Sequence, residues 1–201
     1  MTGKVQLRPL VLASGSPRRE RLLREAGLSF EIDAPPPEEE DNGTGNTFSP
    51  EERVQDKARA KAIWAAVRHL ESVVLGADTE VILEGEEMGK PGNQNAARKM
   101  LACLSGRCHK VMTGCALAID GAVRTFVVST DVRFRELDEE TIDRYVASEE
   151  PFDKAGAYAI QGAGGSLIDR LHGSYTNVIG LPVPEVLSAL EACGALGEDI
   201  S

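Results

Sequence analysis

The sequence predicts an α/β fold: a mixed, twisted sheet with flanking helices and a cleft. Three observations carry that reading. Short β-branched apolar runs alternate with segments of helical period, but not in strict βαβ order. Two-residue turn signals such as Asp120-Gly121 join some of the runs into hairpins, so the sheet is not purely parallel. The 201 residues suffice for one full core or two small lobes, and no linker or repeat divides them. We therefore expect a single domain over 1–201, with room for two lobes around a central cleft.

Leu10 to Ala13 reads as a buried strand. Ser14-Gly15-Ser16-Pro17-Arg18-Arg19 follows, then a helix through Leu22, Leu23 and Ala26, stopped by Gly27. Ser16 suits the N-cap and Pro17 the first helical position. A strand, a small-residue loop and a helix start favour an anion, and Arg18 and Arg19 add guanidinium groups able to grip phosphate. Phe30 to Asp33 reads as a short strand, and Ala34 to Asn46 as a loop. That loop holds Glu38-Glu39-Glu40-Asp41, either a solvated acidic run or a source of carboxylates for a divalent cation.

Ser49-Pro50-Glu51-Glu52 is a capping box opening a helix to about Leu70. Val54, Ala58, Ala62 and Ala65 form its inward stripe. Lys57 and Lys61 flank the stripe, where lysines usually snorkel to water.

The stretch Ser72 to Pro91 organises the rest. Val73-Val74-Leu75 reads as a strand broken by Gly76, with Asp78 and Thr79 just past its end. A second run from Val81 to Leu83 turns at Glu84-Gly85-Glu86, and Lys90 follows between Gly89 and Pro91. A carboxylate past a buried strand, with a lysine one hairpin later, is a layout for chemistry, because ligands gather at such strand ends.

Asn93 to Leu104 reads as a helix with Ala96, Ala97, Met100, Leu101 and Leu104 inward. His109 to Ile119 and Val123 to Phe134 read as paired strands, and Glu139 to Ala147 as a helix capped by Asp138. Asp153 to Gly162 mixes charged and small residues with Gln161 in a segment too apolar for a solvated loop. There Asp153 and Lys154 are suited to pair with each other, or Lys154 to meet a substrate. Ser166 to Leu171 and Tyr175 to Ile179 read as short strands, and Pro182 to Ala192 as a closing helix.

A net charge of −10 argues against binding nucleic acid or an anionic membrane, although a few focused cations still permit an anionic ligand. No apolar run approaches the roughly 18 residues of a spanning helix, and Leu10 to Ala13 is too short for a signal peptide. Cys103, Cys108, Cys115 and Cys193 form no CxxC pair and read as free thiols, in keeping with the cytoplasm. His109 has no partner His at metal-binding spacing.

Taken together, several motifs resemble one family. They are SGSPRR at 14–19, the acidic pair at 38–39, SPEE and DKARAKA within 49–62, GADT at 76–79 and GKP at 89–91. SGRCHKVMTG at 105–114, DKAGAYAIQG at 153–162 and GSYTNVIGLP at 173–182 complete the set. The chain resembles the Maf proteins over about Leu10 to Leu190. These are house-cleaning nucleoside triphosphate pyrophosphatases also described as septum-formation inhibitors.

The resemblance implies an inosine triphosphatase-like fold, often homodimeric, and cleavage between the α- and β-phosphates. It implies a divalent metal, Mg²⁺ or Mn²⁺, and an aspartate acting as proton acceptor, which falls on Asp78. Glu39, or else Glu38, is the expected metal contact beside Asp78. Ser16, Arg18, Arg19, Lys57 and Lys90 are then expected on the phosphates, with Thr79 and Gln161 on the base. Arg18, Thr79 and Gln161 match the branch resembling dTTP/UTP pyrophosphatases. The 7-methyl-GTP branch has Trp, Gln and Glu at those places. A Gln amide donates to a ring oxygen and accepts from the adjacent ring N–H, the pattern of thymine and uracil. The alternatives are another triphosphate substrate, such as 7-methyl-GTP, or a nucleotide-binding regulator of cell division.

Overall fold

A computed structural model describes residues 4–36 and 48–198. The strands are β1 (Lys4–Gln6), β2 (Leu10–Ala13), β3 (Glu31–Ile32), β4 (Val73–Leu83), β5 (Glu86–Glu87), β6 (Cys108–Ile119), β7 (Ala122–Phe134), β8 (Ile168–His172) and β9 (Leu196–Glu198). The helices are α1 (Pro17–Glu25), α2 (Pro50–Ala66), α3 (Gln94–Leu104), α4 (Glu139–Val146), α5 (Tyr175–Ile179) and α6 (Val183–Ala192). Short 3₁₀ turns cover Glu150–Asp153, Ala155–Ala157 and Ala163–Leu167.

The main sheet has the order β3-β2-β4-β6-β7-β8, with β5 on β4. β2 runs parallel to β3 and β4, whereas the β4–β5 and β7–β8 pairs are antiparallel. The sheet is therefore mixed, as the hairpin signals require. No helix among the described residues is long and apolar enough to cross a membrane.

The chain divides into two compact units. One comprises the residues up to Asp78, Thr113–Val128 and those from Gly180 onward; the other comprises Thr79–Met112 and Ser129–Ile179.

In the first unit, α2 packs on the sheet through alanines. Ala58, Ala62 and Ala65 join Val11, Ala13, Val74, Ala116 and Ala118 in one buried cluster. Such short side chains bring backbones close, which explains two glycines. A Cβ at Gly76 would stand 2.2 Å from the Ala58 carbonyl oxygen, and one at Gly114 would stand 2.2 Å from that of Val54. Gly76 thus marks a close helix approach rather than a strand end, and β4 runs unbroken through it. This corrects the sequence reading: Asp78 lies within a strand, not past one.

The capping box of α2 forms as expected: Ser49 Oγ accepts from Glu52 N at 3.2 Å, and Glu52 Oε2 accepts from Ser49 N at 2.8 Å. The helix ends at Ala66 rather than about Leu70. Beyond it, Arg68 and His69 turn to Asp33, each 2.9 Å from its Oδ2. β1 and β9, which the hydrophobic pattern did not announce, pair antiparallel around Val5 and Gly197.

The second unit is built around Leu101, Leu104, Val111, Val132, Phe134, Val146 and Leu167. Asn93 caps α3 through Ala96 N at 2.9 Å, and Asp138 caps α4 through Thr141 N at 2.8 Å. Ala97, Leu101 and Leu104 are the buried face of α3, while Ala96 and Met100 are half-buried.

Tyr175–Ile179 is a helix, not the strand that its β-branched residues suggest. Ser174 Oγ accepts from Asn177 N at 3.2 Å, and the buried Asn177 amide donates to the Val111 carbonyl and Thr130 Oγ1, both at 3.0 Å. Those polar anchors override local propensity. The segment read as a strand from Ser166 starts as a 3₁₀ turn and becomes β8 only at Ile168.

Candidate functional site

Asp78 stands on β4 facing the alanine-rich side of α2. Its Oδ1 accepts from Lys61 Nζ at 2.8 Å, and the two side chains are only 16% and 7% exposed. A lysine among alanines has room to fold its stem inward, and the carboxylate at the end of that path compensates its charge. The sequence reads both Lys57 and Lys61 as snorkelling, and the family resemblance singles out Lys57, one helical turn earlier. No local pattern separates the two lysines; the packing of α2 on the sheet does. Lys57 itself is half-buried. Glu80, two residues along β4 from Asp78, is 1% exposed and was also not singled out.

Two arginines open α1. Arg19 is buried; its Nε donates to the Gly180 carbonyl at 2.8 Å and its Nη1 to Ser14 Oγ at 2.9 Å. Ser14 Oγ also accepts from Ser16 N at 3.4 Å. Arg19 therefore braces the 14–16 loop from beneath, a role the sequence did not announce. Arg18 is half-buried. Ser16 occupies the N-cap position, yet its hydroxyl makes no capping bond. Burial pushes the nearby Cys115 thiol up to about 12, so it stays protonated and inert at neutral pH.

The second unit holds the other expected residues. Thr79 is half-buried on β4, and Lys90 is exposed between Gly89 and Pro91. Gln161 is half-buried between two 3₁₀ turns. Lys154 does meet Asp153: its Nζ lies 2.5 Å from Asp153 Oδ1 and 2.7 Å from the Glu150 carbonyl. His109 joins an edge-on aromatic cluster with Phe134 and Tyr158, its Nε2 2.7 Å from the Tyr158 hydroxyl. Burial pushes its pKa down to about 4, so the ring is neutral at pH 7.

Glu38 and Glu39 lie outside the described residues. Among the described residues no group of three or more His, Cys, Asp or Glu side chains is disposed to hold a metal. The chemistry of Asp78 nonetheless fits a hard cation. Mg²⁺ commonly takes one or two carboxylates and completes its shell with water and phosphate oxygens. Among the described residues Oδ1 is the Asp78 oxygen that meets Lys61, which leaves Oδ2 for such a contact.

The family model described as Maf-like protein matches residues 9–193. This chain belongs to the Maf-like family. Among its Maf-like relatives, the dTTP/UTP pyrophosphatase of Syntrophus aciditrophicus is 47% identical over 189 residues, covering 93% of this chain and 91% of its own. That of Halalkalibacterium halodurans is 45% identical over 188 residues, covering 94% and 97%. Among solved structures, the Staphylococcus aureus Ham1 protein aligns with a TM-score of 0.49 at 15% identity, covering 92% of this chain and 99% of its own. A nucleoside-triphosphatase / dITP/XTP pyrophosphatase from Mycobacterium abscessus aligns with a TM-score of 0.45 at 16% identity, covering 93% and 97%. The Maf-like match spans Ser16, Arg18, Arg19, Lys61, Asp78, Thr79, Lys90 and Gln161.

Proposed function

We propose that this chain hydrolyses dTTP and UTP to the nucleoside monophosphate and pyrophosphate. The observation that carries the reading is similarity along nearly the whole chain: relatives bearing that activity in their names are 44% to 47% identical over at least 91% of both lengths. Arg18, Thr79 and Gln161 support the pyrimidine preference.

A triphosphate repels an incoming hydroxide, so catalysis needs charge neutralisation, water activation and in-line placement. Asp78 orients the attacking water and accepts its proton. Lys61 holds the Asp78 carboxylate in one rotamer. The water oxygen bonds to the α-phosphorus, the bridging P–O bond breaks, and pyrophosphate leaves with its electron pair. Arg18, Lys57 and Lys90 bind phosphate oxygens, and the Ser16 loop, braced by Arg19, offers backbone N–H groups to the same charge. The positive charge of Arg19 acts on the same phosphates. Asp78, with Glu39 or Glu38, would hold Mg²⁺ or Mn²⁺, which when bound withdraws charge from the phosphates. Thr79 and Gln161 read the base. Cytoplasmic location and homodimerisation belong to the same proposal; sedimentation of the purified protein measures the latter.

Product analysis on UTP, dTTP and 7-methyl-GTP with Mg²⁺ or Mn²⁺ tests the reading. Uridine monophosphate and pyrophosphate are the expected products from UTP. Faster turnover of 7-methyl-GTP would overturn the pyrimidine assignment. Asp78→Ala should stay folded and release no pyrophosphate; near wild-type turnover would remove Asp78 from the mechanism.

A further inference from the structure

We propose that Tyr145 and Glu150 are positioning residues for base selection, clamping the loop that carries Gln161. The proposal rests on the reading that Gln161 contacts the base. Tyr145 lies in the last turn of α4 and is buried, and Glu150 opens the following 3₁₀ turn. Their side chains meet: the Tyr145 hydroxyl donates to Glu150 Oε1 at 2.9 Å.

From that pair, bonds reach the loop on both sides of Gln161. Before it, Ala159 N donates to Tyr145 Oη at 3.1 Å. After it, Ala163 N donates to Glu150 Oε2 and Gly164 N to Oε1, both at 3.2 Å. One phenol and one carboxylate thus bind backbone N–H groups on either flank of the glutamine. Burial raises the Tyr145 hydroxyl above the usual phenol range, which keeps its proton in place to donate to Glu150.

The loop is folded hard onto the clamp. Gly162 takes φ +87°, and a Cβ there would come 2.6 Å from Glu150 Oε2. A Cβ on Gly164 would come 2.6 Å from Tyr145 Oη and 2.3 Å from the Ala159 carbonyl oxygen. Only glycine fits at either place while the clamp is closed. This matters for a residue that reads a base through paired donor and acceptor atoms. A displacement of about 1 Å at such a contact is enough to cost roughly 10²-fold. Such contacts discriminate well only while both hydrogen bonds form. The clamp thereby fixes the donor–acceptor order that separates a uracil edge from a cytosine edge.

The test measures kcat and KM for UTP and CTP in full-length Tyr145→Phe, Glu150→Gln and Gln161→Ala, with folding checked by circular dichroism. Tyr145→Phe frees Ala159 N, whereas Glu150→Gln turns an amide donor toward a backbone N–H, so the two variants open the clamp by different arms. The expected result is a fall of about tenfold or more in the UTP/CTP ratio of kcat/KM, carried mainly by KM for UTP. In the Gln161→Ala background, Tyr145→Phe should leave that ratio unchanged, since both act on one contact. Equal losses for UTP and CTP would mean a purely structural clamp and would overturn the proposal. If Gln161→Ala loses the preference while both clamp variants keep it, the clamp alone is refuted. If Gln161→Ala keeps it, the base-reading role falls and the proposal with it.

Discussion

Asp78 was legible from its GADT setting, but its partner was not. A lysine four residues from Lys57 on the same helix face carries no local mark of being the one that reaches β4. Only the packing of α2 on the sheet selects Lys61. The pair is largely out of water, so removing one member leaves an uncompensated charge; breaking such pairs costs about 3–5 kcal/mol. We expect Lys61→Met to fall at the lower end of that range in urea melts, because Asp78 keeps some exposure. Pyrophosphate release should drop by about 10²-fold or more if Asp78 is the base that Lys61 orients. Lys57→Met should cost less stability. His109 makes a second prediction at this scale. Its folded pKa of about 4 lies below its ordinary value of 6.5. The unfolded chain therefore takes up the proton first, and stability is lost as pH falls from about 6.5 toward 4. Between pH 7 and pH 5 the loss attributable to this ring is about 2 kcal/mol. His109→Gln, which cannot titrate but can still bond Tyr158, should shrink the difference between urea midpoints at those two pH values.

Elements with strong local signals appeared where the sequence placed them. The capping box at Ser49, the caps at Asn93 and Asp138, and the Asp120-Gly121 turn all form, the last with φ of +50° and +77°. The misreadings have a common cause. Gly76 looks like punctuation in one dimension, but in three it is the gap into which the α2 backbone fits. Tyr175 to Ile179 has strand composition, but the Asn177 and Ser174 bonds wind it. We predict that Gly76→Ala destabilises the protein by about 1–3 kcal/mol, since the added methyl would meet the Ala58 carbonyl oxygen. Thermal unfolding of the variant checks this; an unchanged midpoint would show that α2 can shift away freely.

Across the whole molecule, the two compact units are not consecutive in sequence. β4, β6 and β7 each begin in one unit and end in the other. A unit that melted alone would have to unwind its own half of each of these strands while the other half stayed paired. Near-UV and far-UV circular dichroism should therefore report one coincident thermal transition. Two separated transitions would show that the units fold independently. No local pattern reveals this division, because the chain returns to each unit from distant positions.

Capping residues, hairpin turns, the alanine stripe, the acidic balance and the ordered motifs are properties of neighbouring residues, and they alone determined the fold class, the family and Asp78 as the centre of interest. The tertiary structure decided which lysine pairs with that carboxylate, why Gly76 must lack a side chain, what Arg19 braces and how Tyr145 and Glu150 hold the glutamine loop. Those contacts join residues far apart in the chain, and their existence depends on the distance between packed backbones, a quantity that no run of side chains encodes by itself.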